Sequence, residues 1–391
     1  MSSLPVHAAI SVLDLDVTKR CNLQCKYCFK NETVSPLGCR MPLRTALTAA
    51  DWLIEASLGA RHLNINLMGG EPLLEWVMVQ QLVPYAKRRA SQFAKTIQFG
   101  TTTNLTLIDP HVIAFSKRWG MGWHCSIDGI PRVQDTQRPF VGGAGTSRAA
   151  ERGARQVLGY RPACGRATIL PENVSSIYES VQYLYSVGFR GFAFALADEP
   201  RWGRRELLEF HRQWTRVTDF QIECFRRGEV ITVAGIDYVV RAHVAGRQEQ
   251  TCGAGRGMAL IDARGDVWPC NRWDGADLES QSGGQWKFAN IFERGFNHKL
   301  HVALLERDHF THQRASCRRC SARPICGGGC PAANLTSTGD IYTQHRAMCE
   351  MTRVLYAEGL RFYDTLKAEG NALLLKTFKK ENTNGNAARS S

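Results

Sequence analysis

The chain has 391 residues, a net charge of +13 and a hydrophobic fraction of 44%, which excludes a disordered chain and leaves room for more than one buried core. No stretch approaches the roughly 20 apolar residues of a membrane span. Fourteen cysteines follow a start, MSSLPVHAAISVLDLD, that lacks a basic segment and a long apolar run, so the expected setting is a reducing cytoplasm with metal clusters rather than a secreted disulfide scaffold. Lysine and arginine are scattered in short groups such as Lys87-Arg88-Arg89 and Arg204-Arg205. No basic–aromatic array emerges, so a solvated basic surface is the better reading than nucleic-acid binding. An acidic peptide or an acidic electron donor would also make use of that charge.

From about residue 12 to 228, strand-like and helix-like patterns alternate. Strands are predicted at Val12–Thr18, Leu63–Met68, Thr96–Thr102, Trp123–Ile127, Arg166–Leu170 and Gly191–Leu196, with helices between them. Leu47, Ala50 and Ile54 fall at helical spacing, as do Leu207, Phe210, Trp214 and Val217, and Pro84 is expected to kink or restart the second helix. This alternation implies a parallel sheet with right-handed crossovers, and six units suggest an incomplete barrel, a partial (β/α)6 TIM-type fold. The rhythm is expected to stop at residues 229–251, a bridge between the 1–228 core and a glycine- and cysteine-rich domain at 252–350 that metal would hold more than a core. Residues 351–391 read as a helix from Met351 to Leu375 and a polar, disordered tail, KKENTNGNAARSS.

Cys21, Cys25 and Cys28 stand in the run CNLQCKYCFK directly after the first strand, at the strand end where parallel α/β folds place their chemistry. Three thiolates on one loop do not complete a tetrahedral zinc site, but they suffice for three irons of a cubane cluster, leaving the fourth iron open. Half a zinc site would be the common reading of an isolated C-x2-C pair. The second signature is Met68-Gly69-Gly70-Glu71-Pro72, at the end of the second strand. There the glycines permit close backbone approach to a ligand and Glu71 offers a carboxylate to a cationic group.

Together these residues resemble the radical S-adenosylmethionine (SAM) enzymes, in which the open iron chelates SAM. The resemblance implies that Cys21, Cys25 and Cys28 ligate a SAM-binding [4Fe–4S] cluster. Gly69, Gly70 and Glu71 then receive the SAM ammonium, and Tyr27 packs by the adenine. It also makes Thr103, Asn104, Ser126 and Asp128, at the third and fourth strand ends, candidates for the SAM ribose and carboxylate. Turn and cap formation is an equal use for each of them. Arg166 on the fifth strand is a further candidate for the carboxylate. The implied chemistry is one-electron reduction of the cluster, cleavage of the SAM sulfonium, and hydrogen abstraction from substrate by a 5′-deoxyadenosyl radical.

Cys252, Cys270, Cys317, Cys320, Cys326, Cys330 and Cys349 form a second field, C-x12-G-x4-C, then C-x2-C-x5-C-x3-C, then C. This order resembles the SPASM domain of radical SAM peptide and protein maturases, and a zinc ribbon is the competing reading. The resemblance implies two auxiliary [4Fe–4S] clusters, three in all. Cys317, Cys320, Cys326 and Cys349 would hold the outer one, and Cys252, Cys270 and Cys330 the inner one. Some relatives place an eighth cysteine where this chain has Met258, and a thioether is a weak ligand for such iron. An open or exchangeable iron on the inner cluster is therefore expected. Cys39, Cys125, Cys164 and Cys224 are spare, and most are expected to be buried.

Anaerobic sulfatase maturases carry a catalytic Asp immediately after the second SPASM cysteine. Asn271 stands there, and an amide is no base at neutral pH. The favoured reading is a maturase of a ribosomally made peptide, forming a cross-link or excising backbone. The alternatives are a sulfatase-type protein maturase and a small-molecule radical SAM dehydrogenase. A non-enzymatic metal- or nucleic-acid-binding protein would need neither GGEP nor an open three-cysteine loop. Expected partners are the precursor peptide, a flavodoxin- or ferredoxin-type electron donor and, because only 20 residues precede Cys21, a separate leader-recognition protein.

Overall fold

The computed structural model describes residues 9–30, 38–197, 201–246, 252–274, 286–312 and 315–378. The polar tail and part of the expected bridge lie outside them. Strands in chain order are β1 (Val12–Thr18), β2 (His62–Gly69), β3 (Thr96–Thr103), β4 (Gly122–Ser126), β5 (Cys164–Ile169), β6 (Gly191–Leu196), β7 (Thr232–Val233), β8 (Met258–Ile261), β9 (Asp266–Trp268) and β10 (Ala289–Asn290). The helices used below are α1 (Leu43–Ala56), α2 (Trp76–Ser91), α3 (Pro110–Trp119), α4 (Pro131–Gln137), α5 (Ser147–Tyr160), α6 (Ile177–Val187), α7 (Arg204–Arg226), α8 (Ala234–Ala245), α9 (His298–His312), α10 (Ala315–Arg318), α11 (Pro331–Thr338), α12 (Arg346–Ala368) and α13 (Ala372–Thr377). Two compact units are drawn from the chain. Met1–Ser126, Gln137–Tyr160 and Cys252–Glu306 make the first, and Ile127–Thr136, Arg161–Thr251 and Arg307–Ser391 the second. No helix among the described residues is long and apolar enough to cross a membrane.

In the first unit β1, β2, β3 and β4 pair in parallel, in sequence order. Six of the seven residues of β1 are buried, as a strand covered on both faces requires. The register sets Thr18 beside Gly69 and Thr103 beside Cys125. The loops that follow these strands therefore leave from one end of the ladder. On the other edge β8 runs parallel to β1, with β9 antiparallel to β8 and β10 antiparallel to β9. Helix α3 shows how local chemistry marks an element. Asp109 caps its start by accepting from the Val112 N–H at 2.8 Å, Pro110 opens it, and Gly120 ends it in the left-handed region.

The prediction for Pro84 needs correcting on the restart: α2 runs unbroken from Trp76 to Ser91 through it. Proline removes the N–H that would bond the carbonyl four residues back. That carbonyl belongs to Gln80, an exposed residue, so the lost donor leaves no buried acceptor unserved.

In the second unit β5, β6 and β7 are parallel. The βα rhythm thus continues into the expected bridge, through the two-residue strand β7 and helix α8. Helix α12 packs closely enough on α8 that a Cβ added at Gly359 would stand 2.5 Å from the Val239 Cβ. Phe362 meets Phe225 of α7 edge-on, at 5.1 Å between ring centres. The helix expected from Met351 to Leu375 is two helices. Gly370 takes a left-handed turn between them, and Asn371 Oδ1 caps α13 by accepting from Leu373 and Leu374.

Asp237 is buried in this unit, where its Oδ1 accepts from Gln221 Nε2 at 2.8 Å and from the Val233 N–H at 3.3 Å. Burial dominates and lifts its carboxyl to about 6. A carboxyl raised on folding holds its proton more tightly in the native state, so its contribution to stability declines as pH rises from about 4 to about 6. Asp237→Asn removes that term. Measured by urea unfolding, the variant should gain about 2 kcal/mol on the native protein between pH 4 and pH 7. A difference that does not change with pH would refute the assignment.

Candidate active site

The neck of the cysteine loop is tied to the end of β2 by backbone. The Gly70 N–H donates to the Thr18 carbonyl at 2.7 Å, and the Glu71 N–H to the Arg20 carbonyl at 2.8 Å. Both glycines are required by this approach. A Cβ at Gly70 would stand 2.2 Å from the Arg20 carbonyl oxygen, and one at Gly69, whose φ is +137°, 2.3 Å from that of Thr18. What the missing side chains meet is the cysteine loop's own backbone. Buried Glu75, which no motif signalled, secures the same neck by accepting from Thr18 Oγ1 at 3.2 Å and Arg40 Nε at 2.7 Å.

Within the loop, the Leu23 N–H donates to Cys21 Sγ at 3.4 Å and the Cys28 N–H to the Cys25 carbonyl at 3.2 Å, a tight turn. Gln24 and Lys26 donate backbone N–H groups to the Pro139 and Gln137 carbonyls, each at 2.9 Å. Cys21 is buried, and Cys25 and Cys28 are half-buried. Burial first, then the Glu71 carboxylate and the other two thiols, push the Cys21 thiol up to about 12, against one backbone hydrogen bond. A thiol raised like that of Cys21 ionises when a cationic centre binds it, and three thiols on one loop fit a metal cluster. Among the described residues no three His, Cys, Asp or Glu side chains are placed to share one metal ion. A cubane places its thiolates on different irons and does not require that spacing.

Glu71 is fully buried. Its Oε1 accepts from Thr103 Oγ1 at 2.8 Å and the Leu73 N–H at 3.1 Å, and its Oε2 from the Asn104 N–H at 2.7 Å. Burial outweighs these bonds and lifts its carboxyl to about 6. Asn104 Nδ2 donates to Asn22 Oδ1 at 2.8 Å, linking the cysteine loop to the end of β3. Glu71, Thr103 and Asn104 are thus brought together around the loop, with hydrogen bonds to one another. Tyr27 has a partner that sequence reasoning missed. The Arg138 guanidinium donates to its hydroxyl and lies 5.7 Å from its ring centre. Arg138 is buried and also acts electrostatically on Glu71. It follows α4, away from any strand end, so its sequence position carries no signal.

Ser126 ends β4 in the same unit, half-buried. Asp128 and Arg166 belong to the other unit. There Asp128 is buried and its Oδ1 accepts from the Thr168 N–H at 3.1 Å, while Arg166 is exposed on β5.

The second cysteine field divides between the units, with Cys252 and Cys270 in the first and Cys317, Cys320, Cys326, Cys330 and Cys349 in the second. Cys349 lies in the first turn of α12. Burial and then Cys326, Cys317 and Cys320 push its thiol up to about 11, against the pull of Arg353. Cys317, Cys320 and Cys326 thus lie within electrostatic reach of Cys349. Cys330 caps α11. Met258 opens β8, its sulfur 3.4 Å from where a Cβ of Gly253 would stand. Of the spare cysteines, Cys125 and Cys224 are buried and Cys164 is half-buried, whereas Cys39 is exposed.

Residues 15–184 match the family model of the Radical SAM superfamily. An uncharacterized protein of Methanocaldococcus jannaschii is 30% identical over 185 residues, which cover 47% of this chain and 62% of that protein. The serine-type anaerobic sulfatase-maturating enzyme of Klebsiella aerogenes is 24% identical, over 87% of this chain and 82% of its own length. Among solved structures, native anSMEcpe with bound AdoMet and Cp18Cys peptide superimposes with a TM-score of 0.75 at 19% identity, covering 92% of this chain and 99% of that one. Streptococcus suis SuiB bound to precursor peptide SuiA gives 0.62 at 16% identity, covering 88% and 76%. The α/β partial-barrel fold expected from the sequence is the fold these structures share. Residues 15–184 are thus a radical SAM domain, and over most of its length the chain is similar to a sulfatase-maturating enzyme and shares the fold of anSMEcpe.

Proposed function

We propose that the chain matures a ribosomally made peptide, using SAM at the Cys21–Cys28 loop to oxidise an unactivated carbon. The observation that carries this reading is the joining of three clustered thiols to the Gly69-Gly70-Glu71 turn by two backbone hydrogen bonds. When bound, a [4Fe–4S] cluster and SAM supply one-electron reduction and a carbon-centred radical. Cys21, Cys25 and Cys28 would hold that cluster. Glu71 fixes the end of β3 beside it, and Tyr27 with Arg138 forms an aromatic and cationic wall suited to a purine and a carboxylate. Arg138 suits the carboxylate better than Arg166, because it is buried on the same unit as the loop.

Cys317, Cys320, Cys326 and Cys349 would hold an outer auxiliary cluster, and Cys252 and Cys270 would serve an inner one. A peptide substrate is supported by the names of the solved neighbours, one holding a Cp18Cys peptide and the other a precursor peptide. Sulfatase maturation is the second reading, favoured by the Klebsiella relative and opposed by Asn271. The excess of basic residues suits an acidic electron donor, a leader peptide, or a separate protein that presents one.

The test is mass spectrometry of a peptide encoded beside this gene, co-expressed anaerobically with the protein and with a Cys28→Ala control. Loss of two hydrogens, absent from the control, is the expected result, and a larger loss would mean backbone excision. An unchanged peptide alongside continued SAM cleavage would refute the reading for that substrate.

A further inference from the structure

Four charged side chains of the first unit meet in its interior. Lys19 Nζ lies 2.7 Å from Asp16 Oδ2 and 2.6 Å from Asp274 Oδ2. Lys30 Nζ lies 2.6 Å and 3.0 Å from the same two oxygens. All four residues are buried: 9% of Lys19, 3% of Lys30 and 1% of each aspartate are exposed. The second oxygens, Asp16 Oδ1 and Asp274 Oδ1, are buried with no hydrogen-bond donor. Such a ring is poor value as plain stabilisation, since apolar side chains of similar size often do as well without the desolvation.

The placement of the ring suggests a use for it. Lys19 comes two residues before Cys21 and Lys30 two after Cys28, so their ammonium groups close the cysteine loop at its neck. Asp16 anchors that neck to β1. Asp274 comes from the segment carrying Cys270, which touches the loop a second time where the Arg272 guanidinium lies 4.6 Å from the Phe29 ring centre. Burial and then neighbouring Asp16 lift the Asp274 carboxyl above the ordinary carboxylate range, against the pull of Lys30 and Lys19. Burial would raise Asp16 as well, but Lys30 and Lys19 hold it well below the ordinary carboxylate range.

We propose that Asp274 is a positioning residue whose ion pairs with Lys19 and Lys30 clasp the Cys270 segment onto the neck of the Cys21–Cys28 loop. The clasp fixes the loop that would hold the SAM-binding cluster, and so governs how firmly that cluster is retained. Groups just outside a metal site commonly change metal affinity by about 10- to 100-fold. This does not depend on what the peptide is.

The full chain, reconstituted anaerobically, would be challenged with an iron chelator, and alkylation of each cysteine followed by peptide mass spectrometry. In Asp274→Asn, Cys28 should become alkylated about tenfold faster than in the native protein, with Cys317 and Cys320 unchanged. The fraction of the reduced cluster's paramagnetic resonance signal that shifts on adding SAM should fall in parallel. An unchanged Cys28 rate would overturn the proposal. A rise at Cys28, Cys317 and Cys320 alike would reflect general unfolding. The K30M/D274N double variant, which removes one charge of each sign and keeps the Lys19–Asp16 pair, would then decide. A selective rise at Cys28 in it supports the clasp, and either a native pattern or a rise at all three overturns it.

Discussion

Gly70→Ala should reduce SAM cleavage by about 100-fold or more, the scale on which a displacement of about 1 Å near reacting groups acts. The new Cβ would stand 2.2 Å from the Arg20 carbonyl oxygen and 2.6 Å from its carbon. Both are backbone atoms, so no rotamer change relieves the contact and the turn must move away from the loop. That movement breaks the bonds from Gly70 N to Thr18 O and from Glu71 N to Arg20 O, and it pulls Glu71 off the end of β3. Gly59, where an added Cβ meets nothing within 4 Å, supplies the control, and its alanine variant should match the native protein. The rate of 5′-deoxyadenosine formation from SAM, measured anaerobically for both variants, checks the prediction. Equal rates would show that the turn and the loop do not act as one piece.

Cys28→Ala should abolish SAM cleavage while leaving most of the iron in place. Three cysteines on one loop leave no spare thiol in it to replace the lost ligand. If the chain carries three four-iron clusters, iron per chain should fall by about one third. If the auxiliary cysteines held single metal ions, the fall would be much steeper. Iron and sulfide analysis with the 5′-deoxyadenosine assay separates these outcomes, and SAM cleavage surviving in the variant would remove Cys28 from the site.

The core elements were legible because β1 is buried on both faces, while β2 and β3 alternate buried apolar positions with more open polar ones, a two-residue period that reads as strand. β1 and β6 fall on the predicted residues, and β2 to β5 within two residues of the predicted ends. β7 was not legible, since Thr232 and Val233 alone make no pattern. The helix through Pro84 was misread because proline's cost depends on which carbonyl loses its donor, and here it belongs to exposed Gln80. The cysteine loop and the glycine turn were visible as local motifs. Arg138 and Glu75 were not, because their partners are supplied by the fold. The clasp was least visible, since Asp274 lies 255 positions from Lys19 and 244 from Lys30. The glycines illustrate a partial reading: the sequence called for close backbone approach at Gly69 and Gly70, and the structure identifies the cysteine loop as the backbone approached.

Isotope transfer tests SAM cleavage at the cysteine loop and hydrogen abstraction from a peptide at once. A precursor peptide encoded beside the gene would be made with deuterium on its side-chain carbons and incubated anaerobically with the reconstituted protein, SAM and a reductant. The 5′-deoxyadenosine should be one mass unit heavier, and the peptide should have lost that deuterium. Peptide modified without any deuterium reaching 5′-deoxyadenosine, at every labelled carbon tried, would contradict this expectation.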